Sequence, residues 1–273
     1  MSEPIDEDQF RRTIYEKHKE HFDHFYRLHH LAEESLRTFR GFTGDHYQAS
    51  LVLIYPRAYK SFDSIRRLCE VASCEDAAVI LRCLLNLLVV ARWLSLKPQK
   101  RARKYFAWHW VEMHRQAKQF QDCVPAAWVS DIEKHFEAVR SQFEYKDPKD
   151  KTKFARHWYE PEAHSIYDLF KEVGLEKQYE EGYKPLSGVE HSDAMAFFAM
   201  IAGAEKKGDE RKLEIQSDLF VPHYLRNAFQ YFADIFGICN KTIHLADYKE
   251  FEETVSSGIN FYKSDMLARG IPP

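Results

Sequence analysis

The chain has 273 residues, 45% hydrophobic and 15% aromatic, enough for one large helical domain with a sizeable core. Ten glycines and ten prolines are few for a turn-rich all-β or doubly wound α/β protein, and a net charge of −3 argues against a sequence-blind electrostatic grip on nucleic acid, though not against a local basic groove. Five cysteines with no C-x-x-C pair argue against a zinc ribbon or a disulfide framework and favour reduced thiols and a cytoplasmic address.

The N-terminus MSEPIDEDQF is acidic and polar, unlike a signal peptide. Residues 7–38 lack Gly and Pro and read as one long helix that closes near Gly41. Within it, KHKEHFDHFYRLHH carries His18, His21, His24, His29 and His30. Their spacing permits weak metal binding, but no matching Glu-x-x-His pairs occur elsewhere, so the expectation is a solvated helix face, with no metal site and no cofactor. A second helix spans about 45–71, kinking or starting at Pro56. SCED at 73–76 has the spacing of a helix start, and an apolar helix follows to about 95.

A basic, aromatic helix is predicted over about 98–122, read as basic outside with Tyr105, Phe106 and Trp110 packed inward rather than as a nucleic-acid surface. Another begins at VPAAWVSDIEKHF, with Pro125 in its first turn. EYKDPKDKTK, 144–153, is the most loop-like segment and the one plausible boundary. HSIYDLFKEVG reads as a short helix stopped by Gly174. Two helices are expected around the knuckle GYKPLSG, then an aromatic helix from Pro222 to about Cys239 and a last one over 247–268. Strand signal is weak even in LEIQSDLFV, 213–221. The fold class expected is all-α, a single domain 1–273 of about eight to ten helices, with helices 7–38 and 220–268 packed on a core of about 45–200.

The apolar helix ILRCLLNLLVVARWL, 80–94, carries three polar side chains. Arg82 and Asn86 are four apart and share a face, while Arg92 lies near the helix end and can snorkel to water. The two arginines and the asparagine argue against a membrane span. Buried donors need acceptors, so the Arg82–Asn86 face is expected either to enter a protein network or to meet an anion such as phosphate or carboxylate. A third option is a subunit interface, hence a possible homodimer. In YKPLSGVEH, Pro185 favours an extended Lys184, and Ser187 with Glu190 matches a capping box for the next helix. His191 then falls in that helix's first turn, where the dipole disfavours imidazolium. A neutral His191 can accept a proton, although a hydrogen-bonded buried histidine is the commoner case.

These blocks, RAYKSFDSIRRLCEVASCEDAAVILRCLLNLLVVARWL at 57–94, Trp158, and SIYDLFKEVGLEKQYEEGYKPLSGVEH at 165–191, resemble an uncharacterised bacterial all-helical family. The resemblance spans roughly 45–200. It implies a site made from the family's arginine, at Arg82, and its Tyr-x-x-x-Ser-x-x-x-His knuckle, at Tyr183, Ser187 and His191. The family's usual acid falls on Asn86, which keeps hydrogen bonding but not charge. The expected function is a binding or interaction module whose polar pocket holds an anionic or nucleotide-like ligand through Arg82, Asn86, Tyr183, Ser187 and His191. The alternative is a metal-independent ribonuclease, or a toxin or phage-defence effector acting on RNA, with His191 as general base and Arg82 stabilising phosphate charge. RNAFQYF at 226–232 opens like the Arg-x(4–6)-His motif of helical ribonucleases, but no histidine follows until His244.

Overall fold

A computed structural model describes residues 6–41, 44–120, 125–190 and 218–271. Among the described residues the fold is all-α apart from one short hairpin. The helices are α1 (Glu7–Lys17), α2 (Lys19–Thr38), α3 (His46–Glu70), α4 (Cys74–Leu96), α5 (Pro98–Gln119), α6 (Ala126–Arg140), α7 (Ile166–Glu172), α8 (Glu176–Gln178), α9 (Lys184–Glu190), α10 (Val221–Ile243) and α11 (Tyr248–Ala268). A π-turn, Tyr179–Tyr183, joins α8 to α9.

The centre is a three-helix contact of α3, α4 and α10, with α2 laid across α10 and α11 across α2. Aromatic rings supply much of its area. Phe62 stacks on Phe25 at 3.8 Å and on Phe232 at 4.4 Å, and Tyr55 packs on Phe236 at 5.1 Å. Each such ring, taken from water to full burial, contributes about 1.5–3 kcal/mol. The one hydroxyl in this stack is satisfied, since Tyr55 and Ser35 are 2.7 Å apart and Ser35 donates to the Ala32 carbonyl. Helix α4 is long and apolar enough to cross a membrane by length and composition. Its apolar faces are instead covered by α3, α10 and α9, with Leu81, Leu84, Leu85 and Leu88 buried.

Three expectations need correction. The predicted helix 7–38 is two helices, because His18 leaves helical geometry at φ −119°, ψ 26° and turns the chain so that its ring points inward. The loop-like segment 144–153 is an antiparallel hairpin, β1 (Glu144–Lys146) with β2 (Thr152–Phe154), closed over Asp147, which accepts from the backbone N–H of Lys149 and Lys151. Its strands are too short and too charged to carry a period-2 signal. The knuckle contains no extended residue. Lys184 is helical, and its N–H reaches back five residues to the Tyr179 carbonyl. Widening the turn there accommodates Pro185, which has no N–H to give to the preceding turn. Ser187 therefore lies inside α9 and is not its cap. The capping box belongs to α7 instead, formed by Ser165 and Asp168, and that helix stops at Gly174 with φ +70°. Most of the weak strand candidate 213–221 lies outside the described residues.

Candidate functional site

Helix α4 presents Arg82 and Asn86 half-buried toward the π-turn and α9. The turn delivers Tyr183 onto this face. Arg82 Nη2 donates to the Tyr183 hydroxyl at 2.9 Å, and its Cζ lies 4.6 Å from the ring centroid. Tyr183 is itself held by Phe170 at 5.2 Å and by a parallel stack on Tyr179 at 5.4 Å, whose ring also carries the Lys184 ammonium. The guanidinium plane is thus fixed by an aromatic pair that the π-turn aligns, a contact worth about 0.5–1 kcal/mol at a partly exposed position. One turn along α4, Asn86 Oδ1 is buried and has no hydrogen-bond partner among the described residues. Ser187 follows Tyr183 by four residues, on the same side of α9, and is half-buried. Of the five residues read as a site, the structure brings Arg82 to Tyr183 directly and sets Asn86 and Ser187 on the two elements that meet there. His191 lies outside the described residues.

Arg92, expected to snorkel, instead pairs with Asp234 of α10 at 2.6 Å, both side chains about a third exposed. Burial pushes the Asp234 carboxyl above its ordinary range despite that partner.

The arginine that is sealed in the protein is Arg101 of α5, 1% exposed. Its guanidinium lies 3.6 Å from the Trp93 ring centroid. It donates to the Trp93 carbonyl at 2.8 Å, to Glu162 Oε2 at 3.3 Å and to Glu172 Oε1, while Trp93 Nε1 takes the other Glu172 oxygen at 2.6 Å. Burial raises the Glu162 carboxyl, but the Lys100, Lys97 and Arg101 cations outweigh it and hold it at about 2. Lys104, one turn on, is also buried and donates to the Glu160 carbonyl, and desolvation lowers its pKa. The expectation that this helix is basic outside therefore fails at Arg101 and Lys104. The signal was present: residues 101, 104, 107, 111 and 114 are buried and spaced three or four apart, one helical stripe that includes the charges.

Of the five histidines read as a solvated helix face, His30 is exposed, but His18, His21, His24 and His29 are turned into contacts. His18 contacts Asp218 at 3.0 Å, His21 contacts Asp265 of α11 at 3.1 Å, and His29 contacts Asp63 of α3 at 3.0 Å. His24 stacks on Phe261 at 4.5 Å. Desolvation lowers the pKa of all four rings, and the aspartates beside His18, His21 and His29 offset it only in part. These pairs fasten helices together, and no group of three potential metal ligands occurs among the described residues.

Two adjoining cavities, about 550 Å³ and about 640 Å³, lie away from the Arg82 face, between α5, α6 and the hairpin. His114, Lys118, Glu133 and Glu137 line both. Nothing in the sequence reading singled out His114.

Residues 48–209, more than half of the chain, match a family described as "Family of unknown function (DUF5677)". The matched span carries α3 to α9 and the Arg82 and Tyr183 blocks, close to the span of the resemblance read in the sequence. No curated protein and no solved structure matches the chain.

Proposed function

Since the chain belongs to the DUF5677 family, a family of unknown function, its role has to be argued from its own side chains, and we propose that it is a binding module for an anionic or nucleotide-like ligand at the Arg82–Asn86–Tyr183–Ser187 face. The observation that carries this reading is the Arg82 guanidinium held over the Tyr183 ring, one helical turn from a buried carbonyl oxygen, Asn86 Oδ1, that no donor meets among the described residues. Guanidinium suits a phosphate or carboxylate, since its donors form a planar fork and it stays charged at every working pH. A carboxamide oxygen left without a donor costs about 1–3 kcal/mol, which a ligand N–H or O–H returns on binding. A nucleotide offers both parts, an anionic group for Arg82 and a base edge or hydroxyl for Asn86.

The test is thermal melting and calorimetric titration with AMP, ATP and inorganic phosphate. The wild type is expected to gain stability with at least one of them, because a ligand that binds only the folded state raises the melting temperature. Arg82→Gln is expected to abolish the gain, and Asn86→Leu to reduce it for nucleotides while sparing phosphate. No stabilisation by any of the three at millimolar concentration, or equal stabilisation of wild type and Arg82→Gln, overturns the proposal. Phosphodiester cleavage with His191 as base is the competing outcome. It gains only if RNA is cut by the wild type and spared by folded His191→Ala.

A further inference from the structure

We infer that the space between α5, α6 and the hairpin is a second, independent binding site, for a small amphipathic carboxylate, with His114 and Lys118 as its head-group ligands. The walls are built rather than incidental. Val111 and Phe136 are buried apolar floor residues, Phe154 closes the hairpin side, and the volume of about 550 Å³ suits a small molecule. His114 is 7% exposed, and its ring lies flat on Phe136 at 3.8 Å, so it is fixed in orientation.

The charges in the wall decide what the cavity takes. Most are already matched. Arg140 is bound to Glu137 at 3.2 Å and Glu144 at 2.8 Å, Arg115 to Glu112 at 2.8 Å and the Ala155 carbonyl at 3.0 Å, and Lys153 to Asp147 at 3.0 Å. Two groups remain. Lys118, which lines both cavities, makes no ion pair among the described residues. His114 Nε2 sits 2.9 Å from Glu133 Oε2, yet the approach lacks hydrogen-bond geometry, so among the described residues this buried nitrogen has a close carboxylate but no directed hydrogen bond. A carboxylate oxygen only 2.9 Å away favours the imidazole form with its hydrogen on Nε2, the donor form. Both unspent groups are therefore donors, and they converge on a cavity with an apolar floor. That combination selects an acceptor head on an apolar body. Glu133, half exposed on α6, occupies the imidazole poorly and can swing to water, so it acts as a resident competitor for the same nitrogen.

Calorimetric titration with three ligands of one chain length, decanoate, decylamine and decanol, tests this on the full chain. Decanoate is expected to bind with one site per chain and at least tenfold more tightly than decylamine or decanol. Lys118→Met is expected to weaken decanoate at least tenfold with an unchanged melting temperature, since Lys118 is exposed and makes no ion pair among the described residues. Glu133→Gln is expected to tighten it several-fold by removing the competing charge, a gain that loss of folding cannot mimic. Decylamine binding as tightly as decanoate, no saturable decanoate binding, or decanoate affinity unchanged in both variants overturns the inference. Arg82→Gln is the control, expected to retain decanoate binding, so failure here and failure at the Arg82 face are read separately.

Discussion

Arg82 on α4 and Arg101 on α5 are held in different ways. Arg82 rests half-exposed on one tyrosine ring and donates to its hydroxyl. Arg101 is sealed over Trp93 and shared between a backbone carbonyl and the carboxylates of Glu162 and Glu172. Burying a guanidinium costs several kcal/mol unless charge and hydrogen bonds meet it from several sides. Around Arg101 two acidic residues from the segment after the hairpin converge and meet that cost. Arg82 lies over the face of the Tyr183 ring and is only half-buried, so its side chain stays near water. The first arrangement belongs to the architecture, and the second leaves a polar surface that a ligand can use.

Removing each arginine measures the difference. Arg101→Ala leaves Glu172 and the Trp93 carbonyl without their shared donor, and is expected to cost about 3–5 kcal/mol in denaturant unfolding. A loss below 1 kcal/mol would make the Arg101 network dispensable and erase the contrast. Arg82→Ala is expected to cost less, about 1–2 kcal/mol, because this side chain is half-buried rather than sealed. A loss as large as that of Arg101→Ala would show that the Arg82 face is structural.

The smallest effect separates guanidinium from imidazole pairing. A guanidinium in general stays charged at working pH, so arginine pairing adds no pH dependence between 5 and 7. The rings of His18, His21 and His29 do, because burial holds their pKa below the ordinary 6.5. The unfolded chain then takes up protons before the folded one, so stability is full above 6.5 and falls as pH drops below it. The depressed carboxylates of Glu162, Asp63, Asp218 and Asp265 act in a separate, more acidic window, losing their contribution only below the ordinary carboxylate range. Melting curves from pH 7.5 to 5 are expected to show a decline that is shallower in His21→Gln. A flat profile in the wild type would mean the rings do not resist protonation.

Much of the helical framework was legible because glycine, proline and capping residues punctuate it. The bounds of α4 follow from SCED and Pro98, and α7 from Gly174. The break at His18 was not legible, since neither Gly nor Pro marks it and the ring's burial depends on Asp218, distant in sequence. The Arg82–Tyr183 contact was readable as two blocks of one pattern, but the π-turn that aims the tyrosine depends on a hydrogen-bond register no composition reveals. Arg101 was missed for a different reason. It sits among basic residues that do face water, and only the spacing of its apolar neighbours betrays the buried stripe. His114 lay on that same stripe and was missed with it.

The position of α10 has a consequence for synthesis. Helices α3 and α4 leave the ribosome early and can pair at once, but the apolar faces they turn toward α10, including the α3 rings that meet Phe232 and Phe236, stay uncovered until residues 221–243 emerge. The nascent chain therefore carries an open hydrophobic seam through the making of α5 to α9, and closes it only by a long-range insertion late in translation. The family-matched segment 48–209 stops before that closing piece. Expressed alone, it would be the permanently unfinished form of this fold.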